Sequence, residues 1–178
     1  HFKQFFSYVS LTPMPKFWTD YDLGVSTFDD VAAQLAEYRG VEVEYAAAMI
    51  REAISRQETI RPTGELIADL KAAGYKLYVL SNMSREFIDF LRQKEVYALF
   101  DGEVVSCEEL CVKPEKEIYH RLERRYELNP ADTLFVDDRN ANIVAAERHL
   151  MLRAVQLNYL TGTQFRKRMS GNLIIHKH

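Results

Sequence analysis

The sequence predicts an α/β fold in which a small helical unit precedes a parallel sheet with helices on both faces. Short apolar runs alternate with helical stretches from position 61 onward, and this alternation is typical of a parallel sheet. Several of these runs end abruptly in polar or charged residues, as buried strands do. Residues 1–60 differ, because they carry helical periodicity almost throughout. We therefore expect a helical unit over 1–60 and a sheet domain over 61–178.

Two long helices are predicted in the helical unit. Thr27 followed by Asp30 is a capping-box pattern, and it begins a helix that Gly40 ends. A second helix with an alanine-rich face is expected over 43–57. Aromatic residues at helical spacing form a core more often than a pocket. The sequence leaves both interpretations open for Phe17, Trp18 and Tyr21.

The sheet domain is predicted as alternating helices and strands. Gly74 ends the first helix, and an apolar strand that begins at Lys76 follows it. Helices are expected over 63–73, 85–94, 115–126 and 141–149, and strands over 76–81, 102–106, 134–136 and 153–157.

Two adjacent carboxylates, Asp137 and Asp138, directly follow the strand predicted over 134–136. Open α/β sheets bind ligands at the carboxyl ends of their strands. Because side chains alternate along a strand, one acid is expected to face the crevice and the other to point sideways. Mg²⁺ needs only one or two carboxylates, since water and phosphate oxygens complete its shell. The pair therefore indicates a magnesium site, and a solvated turn with Asp as a helix cap is the ordinary alternative.

Two further segments carry groups that can bind an anion. Ser81 and Asn82 end the strand from Lys76, where the Ser81 hydroxyl can donate beside the amides of the next helix. Lys113 precedes Pro114, which is expected at the first helical position and would hold the lysine just outside the helix. A lysine held there can balance a phosphoryl charge, and its truncation would cost little packing. Taken alone, each segment is equally typical of capping chemistry or of a solvated surface.

In this order and spacing, the segments resemble the haloacid dehalogenase-like hydrolase superfamily. Leu80-Ser81-Asn82 resembles its second motif, Lys113-Pro114-Glu115 its third, and Phe135-Val136-Asp137-Asp138 its fourth. The flanking residues resemble the subgroup with a small helical cap. Within that subgroup the chain is most similar to sugar-phosphate phosphatases such as the glucose-1-phosphate phosphatases. The resemblance implies a helical cap over 1–60 and a Rossmann-like core over 61–178.

The resemblance also implies a reaction and a role for each site residue. In that family an Asp attacks phosphorus, and water then cleaves the aspartyl-phosphate. Ser81 and Asn82 would bind the transferring phosphoryl group, and Lys113 would neutralise its charge. Asp138 would be the direct Mg²⁺ ligand, with Asp137 supporting it. We therefore expect a Mg²⁺-dependent phosphatase whose substrate is a small phosphorylated metabolite such as a sugar phosphate.

The first motif of that family, an apolar strand ending in Asp-x-Asp, is missing upstream of Ser81. Asp20-Tyr21-Asp22 has the spacing, but the apolar run before it is too short for a strand. The chain begins with His1, and the residues that follow resemble the opening of a cap. We therefore expect the nucleophile to lie outside this chain and the core to lack its first strand. In the family's strand order that strand lies between those ending at Ser81 and Asp137, so we expect an open position in mid-sheet.

Two other functions remain open. A dehalogenase of the same superfamily needs no Mg²⁺, but Asp137 and Asp138 would repel each other without a cation. A non-catalytic interaction protein that has lost its nucleophile is the alternative from a different class.

Composition gives no support for a nucleic-acid or membrane partner. The formal net charge is −3, and no apolar run approaches the length that spans a bilayer. Cys107 and Cys111 have no neighbouring metal ligands and are most simply reduced thiols of a cytoplasmic protein. The sequence leaves the exact substrate and the oligomeric state open.

Overall fold

The computed structural model of the protein describes residues 14–150, 153–156 and 173–176. Within these ranges four helices come first, and strands then alternate with helices. The predicted α/β class is confirmed. The predicted opening of the helical unit before residue 14 and the end of the last predicted strand at residue 157 lie outside the described residues.

The first three of these helices form the helical unit, and we refer to them together as the α1–α3 unit. They are α1 (Lys16–Leu23), α2 (Phe28–Arg39) and α3 (Val43–Ser55). The predicted capping box begins α2, because the Thr27 hydroxyl accepts the Asp30 amide at 3.2 Å and the Asp30 carboxylate accepts the Thr27 amide at 3.0 Å. A local sequence signal thus defines the start of α2.

The interior of the α1–α3 unit is apolar and includes its aromatic residues. The three aromatic side chains of α1 are buried in this core rather than arranged around an open pocket: Phe17, Trp18 and Tyr21. Phe87 of the sheet domain packs against the same cluster, with its ring centre 6.1 Å from that of Trp18. Apolar contacts therefore join the unit to the sheet domain.

The described part of the sheet domain has five strands and the helices that cover them. The strands are β1 (Lys76–Ser81), β2 (Gly102–Val105), β3 (Thr133–Asp137), β4 (Arg153–Gln156) and β5 (Leu173–His176). The α-helices are α4 (Arg61–Ala72), α5 (Arg85–Leu91), α6 (Ser106–Glu109), α7 (Lys116–Tyr126) and α8 (Asn140–Leu150). β5 and α6 have no counterpart among the predicted elements. Within the ranges described, no helix is long and apolar enough to cross a bilayer.

The strand order in the sheet is β2-β1-β5-β3-β4. β1 pairs in parallel with β2, and β3 with β4, as predicted for a Rossmann-like core. β5 lies between β1 and β3 and runs antiparallel to both, so the other four strands share one direction. Leu173 of β5 pairs with Val79 and Val136, and the carboxyl ends at Ser81 and Asp137 extend beyond it. These two strand ends therefore meet at the same edge of the sheet.

The expectation of an open central position is wrong for the described part of the chain, because β5 fills that position. Unpaired backbone groups of β1 and β3 would be costly to bury, and a strand of either direction can satisfy them. The run Leu173-Ile174-Ile175-His176 contains β-branched residues that suit a central strand. Residues 14–75 form no strand, so an Asp-x-Asp strand is not found in that range.

Helices cover both faces of the sheet. Because side chains alternate along each strand, neighbouring residues of β1 and β3 point to opposite sides. Leu77 and Val136 face one side, where Ile67 of α4 packs against them. Leu80 and Phe135 face the other side and pack with apolar residues of α7 and α8. The strand ends that carry the candidate site residues are therefore anchored from both faces.

Proline at Ile174 should destabilise the protein, because Ile174 pairs with Tyr78 and Phe135 in the middle of the sheet. Proline has no N–H to donate, so we expect a loss of about 2 kcal/mol or more in the free energy of unfolding. Ile174→Val keeps the amide and should cost less than about 1.5 kcal/mol. Urea unfolding compares the variants, and equal stabilities would show that β5 does not pair in the sheet.

Candidate active site

Lys113 and Asp137 form a buried ion pair at the carboxyl ends of β1 and β3. The Lys113 ammonium lies 3.1 Å from Asp137 Oδ2, and the two side chains are 1% and 0% exposed. The same ammonium donates to the carbonyl of Leu80 at 2.6 Å. Burial lowers the pKa of Lys113, and the Asp137 carboxylate opposes that shift. Lys113 therefore connects the end of β1 to the end of β3, beyond Leu173, where β5 begins.

Asn82 fixes the backbone of Lys113. Its side-chain amide donates to the Lys113 carbonyl at 2.8 Å, and its Oδ1 accepts the Lys113 amide at 2.7 Å. The two hydrogen bonds hold the backbone at Lys113 against Asn82, the residue that follows β1.

The Lys113–Pro114 peptide bond is cis. The prediction that Pro114 occupies the first helical position is wrong, because α7 begins at Lys116 with Glu115 as its N-cap.

Asp137 also accepts hydrogen bonds from the segment that follows β3. The Arg139 amide donates to Oδ1 at 2.7 Å, and the Asn142 side chain donates to Oδ2 at 3.0 Å. The carbonyl of Asn142 in turn accepts the phenol of Tyr119 at 3.0 Å. The charge of Asp137 is thus both paired and hydrogen-bonded, as a buried charge must be. Sequence reasoning missed Asn142, for which the only signal is its position on the first turn after the acid pair.

The remaining predicted site residues flank the ion pair. Ser81 is the last residue of β1 and is buried, directly after Leu80. Asp138 follows β3 and is exposed, whereas Asp137 is buried. The structure therefore brings Asn82, Lys113 and Asp137 together through direct contacts. It places Ser81 and Asp138 next to them in the chain.

Few side chains at this site could bind a metal ion. In residues 14–150, 153–156 and 173–176, no three His, Cys, Asp or Glu side chains come together as a metal site. Asp137 is buried and accepts from Lys113 and Asn142, and Asp138 is exposed. One carboxylate fits Mg²⁺, which retains several waters, and it does not fit Zn²⁺, which takes three or four protein ligands.

Sequence reasoning also missed a polar cluster where the α1–α3 unit meets the site: Asp22, Ser84 and Arg139. The Ser106 hydroxyl donates to the Asp22 carbonyl, and the Ser84 amide and Arg139 both act electrostatically on the Asp22 carboxyl group. Burial raises the pKa of Asp22 to about 7, although Arg139 and the Ser84 amide oppose the shift. Ser84 lies three residues after Ser81, and Arg139 directly follows Asp138. Only the fold shows that Asp22 comes near the ends of both strands.

A model of the haloacid dehalogenase-like hydrolase family matches residues 11–149 of the chain. The chain belongs to this family. The matched range includes β1, β3 and all the predicted site residues, so the resemblance drawn from the motifs is confirmed.

The proteins similar to this chain include a phosphatase. The sesquiterpene phosphatase astK of Aspergillus oryzae is 28% identical over 131 residues, which cover 73% of this chain and 67% of that protein. A family hydrolase from Porphyromonas gingivalis has a TM-score of 0.65 and 23% identity, covering 81% of this chain and 75% of its own. A family enzyme from Bacteroides thetaiotaomicron was solved with magnesium and inorganic phosphate. It has a TM-score of 0.70 and 18% identity, and the match covers 93% of this chain and 88% of that enzyme. These two structures share the fold of this chain.

The burial of Lys113 changes the expected consequence of its removal. The expectation that truncation costs little packing is wrong, because the side chain is 1% exposed and paired. Lys113→Met should lower the free energy of unfolding by about 3–5 kcal/mol, since Asp137 is left buried without its cation. Lys116→Ala, at an exposed position of α7, should stay within about 0.5 kcal/mol. Urea denaturation measures both.

The double variant Lys113→Met with Asp137→Asn provides the control for this prediction. It removes both charges and should recover much of the stability lost in the single variant. Parent-like stability of Lys113→Met alone would contradict the buried ion pair.

Asp22→Asn should gain stability relative to the parent as the pH rises from about 4 to about 7. The pKa of Asp22 is raised from 3.8 to about 7 in the folded protein, so the folded parent binds more protons than the unfolded chain in this window. The parent therefore loses stability as the pH rises, and Asn has no proton to lose. Urea midpoints from pH 4 to 8 test this, and a difference independent of pH would contradict a buried Asp22 carboxyl group.

Proposed function

We propose that this protein is a Mg²⁺-dependent phosphatase that hydrolyses a small phosphorylated metabolite, with a sugar phosphate as the first candidate. The Lys113 ammonium carries the proposal. An ammonium has three donors, and in the described part of the chain Leu80 and Asp137 accept from two of them. The third donor can bind a phosphoryl oxygen at the edge of the sheet where Ser81 ends β1.

The residues around Lys113 have complementary roles in this proposal. Lys113 balances the charge of the transferring phosphoryl group from a position that Asp137 and the Asn82 contacts hold fixed. Ser81 donates its hydroxyl to a phosphoryl oxygen, and Asn82 assists. Because these groups are already oriented, they need no rearrangement when charge develops.

Asp138 is the proposed direct ligand for Mg²⁺, and Asp137 supports it through the Lys113 and Asn142 contacts. A bound Mg²⁺ supplies positive charge that offsets the charge on the phosphoryl oxygens. The exposed position of Asp138 supports this assignment, since a hydrated cation needs access to water.

The nucleophile is proposed to be an Asp outside these 178 residues, as the family resemblance implies. It would attack phosphorus to form an aspartyl-phosphate that water then hydrolyses. In the family's strand order, its strand would lie between β1 and β3. β5 occupies that position in this chain, so such a strand would have to replace β5 there.

The α1–α3 unit is proposed to act as a cap over residues 61–178, with the boundary near residue 60. Its hydrogen bonds to Glu86 of α5 and Ser106 of α6 support this assignment. A cap that closes would exclude water from the site and select the leaving group.

We also place the protein in the cytoplasm, in keeping with its two free thiols at Cys107 and Cys111.

A phosphorylated sesquiterpene alcohol is a second candidate substrate. The similarity to a sesquiterpene phosphatase favours it, whereas the motif resemblance favours a sugar phosphate. The two classes differ in the group that the cap would bind, because one is polar and the other apolar. The comparison that separates them is kcat/KM of the complete protein for a hexose 1-phosphate and for a prenyl monophosphate.

Phosphate release by the complete protein should require Mg²⁺ and Asp138. Asp138→Asn keeps the size but weakens the oxygen ligand, so we expect a loss of about a hundredfold in turnover of an aryl phosphate. Asp137→Asn leaves the Lys113 ammonium buried without its anion, so its loss of turnover should be accompanied by a loss of stability. Full turnover in a chelator would reject the metal assignment.

The product identifies the reaction class. Inorganic phosphate released from phosphate esters supports the proposal, and halide released from a haloacid would instead support a dehalogenase. A complete protein that releases neither would indicate the non-catalytic alternative.

A further inference from the structure

We propose that Tyr119 is a positioning residue that holds both members of the Lys113–Asp137 ion pair, an inference that rests on the proposed phosphatase function. Its hydroxyl reaches Asp137 through Asn142, and its ring reaches Lys113 through Phe135. Tyr119 lies on α7, six positions after Lys113, and is fully buried. Because it has no access to solvent, any effect on the reaction must act through these neighbours.

The Tyr119 hydroxyl acts on Asp137 through the first turn of α8. The phenol donates to the Asn142 carbonyl at 3.0 Å, and the Asn142 side-chain amide donates to Asp137 Oδ2 at 3.0 Å. The three residues are at most 4% exposed, so water does not compete for these hydrogen bonds. The hydroxyl thus fixes the helical turn from which Asn142 reaches the carboxylate.

The Tyr119 hydroxyl remains a donor near neutral pH. Burial raises the pKa of Tyr119, and the charge of Asp137 raises it further. The phenol therefore keeps its proton, and its hydrogen bond to Asn142 does not depend on pH in this range.

The Tyr119 ring acts on Lys113 through Phe135 of β3. The two rings form a T-shaped pair, with centres 5.9 Å apart and an angle of 87° between their planes. Aromatic pairs prefer this geometry, because the positive edge of one ring attracts the negative face of the other. The Lys113 ammonium lies over the Phe135 ring, 5.8 Å from its centre and within the range of a cation–π contact.

Phe135 and Asp137 lie two positions apart on β3, so their side chains point to the same face of the sheet. This is the face that α7 and α8 cover. Tyr119 on α7 can therefore support the anion of the pair and the aromatic ring beneath its cation at the same time.

Packing alone does not require a tyrosine at position 119. A phenylalanine would fill the same space, and it would not need a partner for a buried hydroxyl. The hydroxyl bonds to the helical turn that carries Asn142, and Asn142 bonds to Asp137. Its role is thus to place polar groups rather than to fill the core.

Displacement of the ion pair should affect the rate more than substrate binding. Lys113 donates to Leu80 and Asp137, and its third donor is the one proposed to bind a phosphoryl oxygen. A small rotation of the ammonium misaligns this donor where charge develops in the transition state, whereas Ser81 can still bind the phosphate ester.

Nuclear magnetic resonance of the 178-residue chain tests the hydroxyl contact without any need for activity. In Tyr119→Phe the turn that carries Asn142 loses a hydrogen bond, so hydrogen exchange at the Asn142 side-chain amide should become about fivefold faster.

Tyr126→Phe is the matched control. Tyr126 lies on the same helix, and its phenol also donates to a backbone carbonyl at 3.0 Å, but that carbonyl belongs to Glu103 of β2. This variant should leave exchange at Asn142 unchanged. Unchanged exchange at Asn142 in Tyr119→Phe, or equal acceleration in both variants, would overturn the inference.

Steady-state kinetics of the complete protein on p-nitrophenyl phosphate test the positioning role. For Tyr119→Phe we expect kcat to fall about fivefold with KM within about twofold of the parent. Tyr119→Leu also removes the ring contact, so its kcat should fall by about a further fivefold. Tyr126→Phe should match the parent, although it too loses a phenol from the core.

A parent-like kcat in Tyr119→Phe, a loss confined to KM, or an equal loss in Tyr126→Phe would overturn the inference. Because Tyr119→Phe keeps the aromatic packing, this comparison stands even if Tyr119→Leu does not fold. If the parent itself releases no phosphate, the proposed function fails, and exchange at Asn142 still decides whether Tyr119 holds the ion pair.

Discussion

The burial of Lys113 with Asp137 is the constraint on which the rest of the site depends. Removing two charges from water costs several kcal/mol for each ion, and their attraction offsets this only when the remaining hydrogen-bonding groups are satisfied. Leu80, Arg139 and Asn142 supply those bonds. Because the contributors lie on β1, on the segment after β3 and on α8, the pair forms only when these elements meet at fixed distances. The main effect of the ion pair is therefore to fix the relative positions of β1, the segment after β3 and α8.

The same arrangement separates the two acids that close β3. Asp137 is enclosed and bonded, whereas its neighbour Asp138 is exposed. Asp137 thus orients the Lys113 ammonium, and Asp138 is accessible to a cation from solution. Asp22 adds a third carboxyl group from another part of the chain, in a setting that raises its pKa to about 7. Three carboxyl groups near one sheet edge therefore differ in environment, and environment is what assigns carboxylates to different tasks.

The sequence was informative where local chemistry decides the structure. The Thr27–Asp30 capping box and the polar ends of β1 and β3 are local signals, and the structure has them where predicted. The burial of Lys113 could not be predicted, because its partners Leu80 and Asp137 lie 33 and 24 positions away. The hydrogen bond from Ser106 to the Asp22 carbonyl, which spans 84 positions, is also long-range. β5 was missed because its four residues are short for a strand and no local signal places them between β1 and β3.

The place of β5 in the sheet has a consequence for the order of assembly. Lys76 of β1 pairs with His176, and Thr133 of β3 pairs with the same residue. The facing edges of β1 and β3 thus find their shared neighbour only in a segment made after both of them. Until residues 173–176 are available, each edge exposes free N–H and C=O groups to other chains. Contacts this distant in sequence form slowly, so a nascent chain should depend on protection of these two edges while it is synthesised.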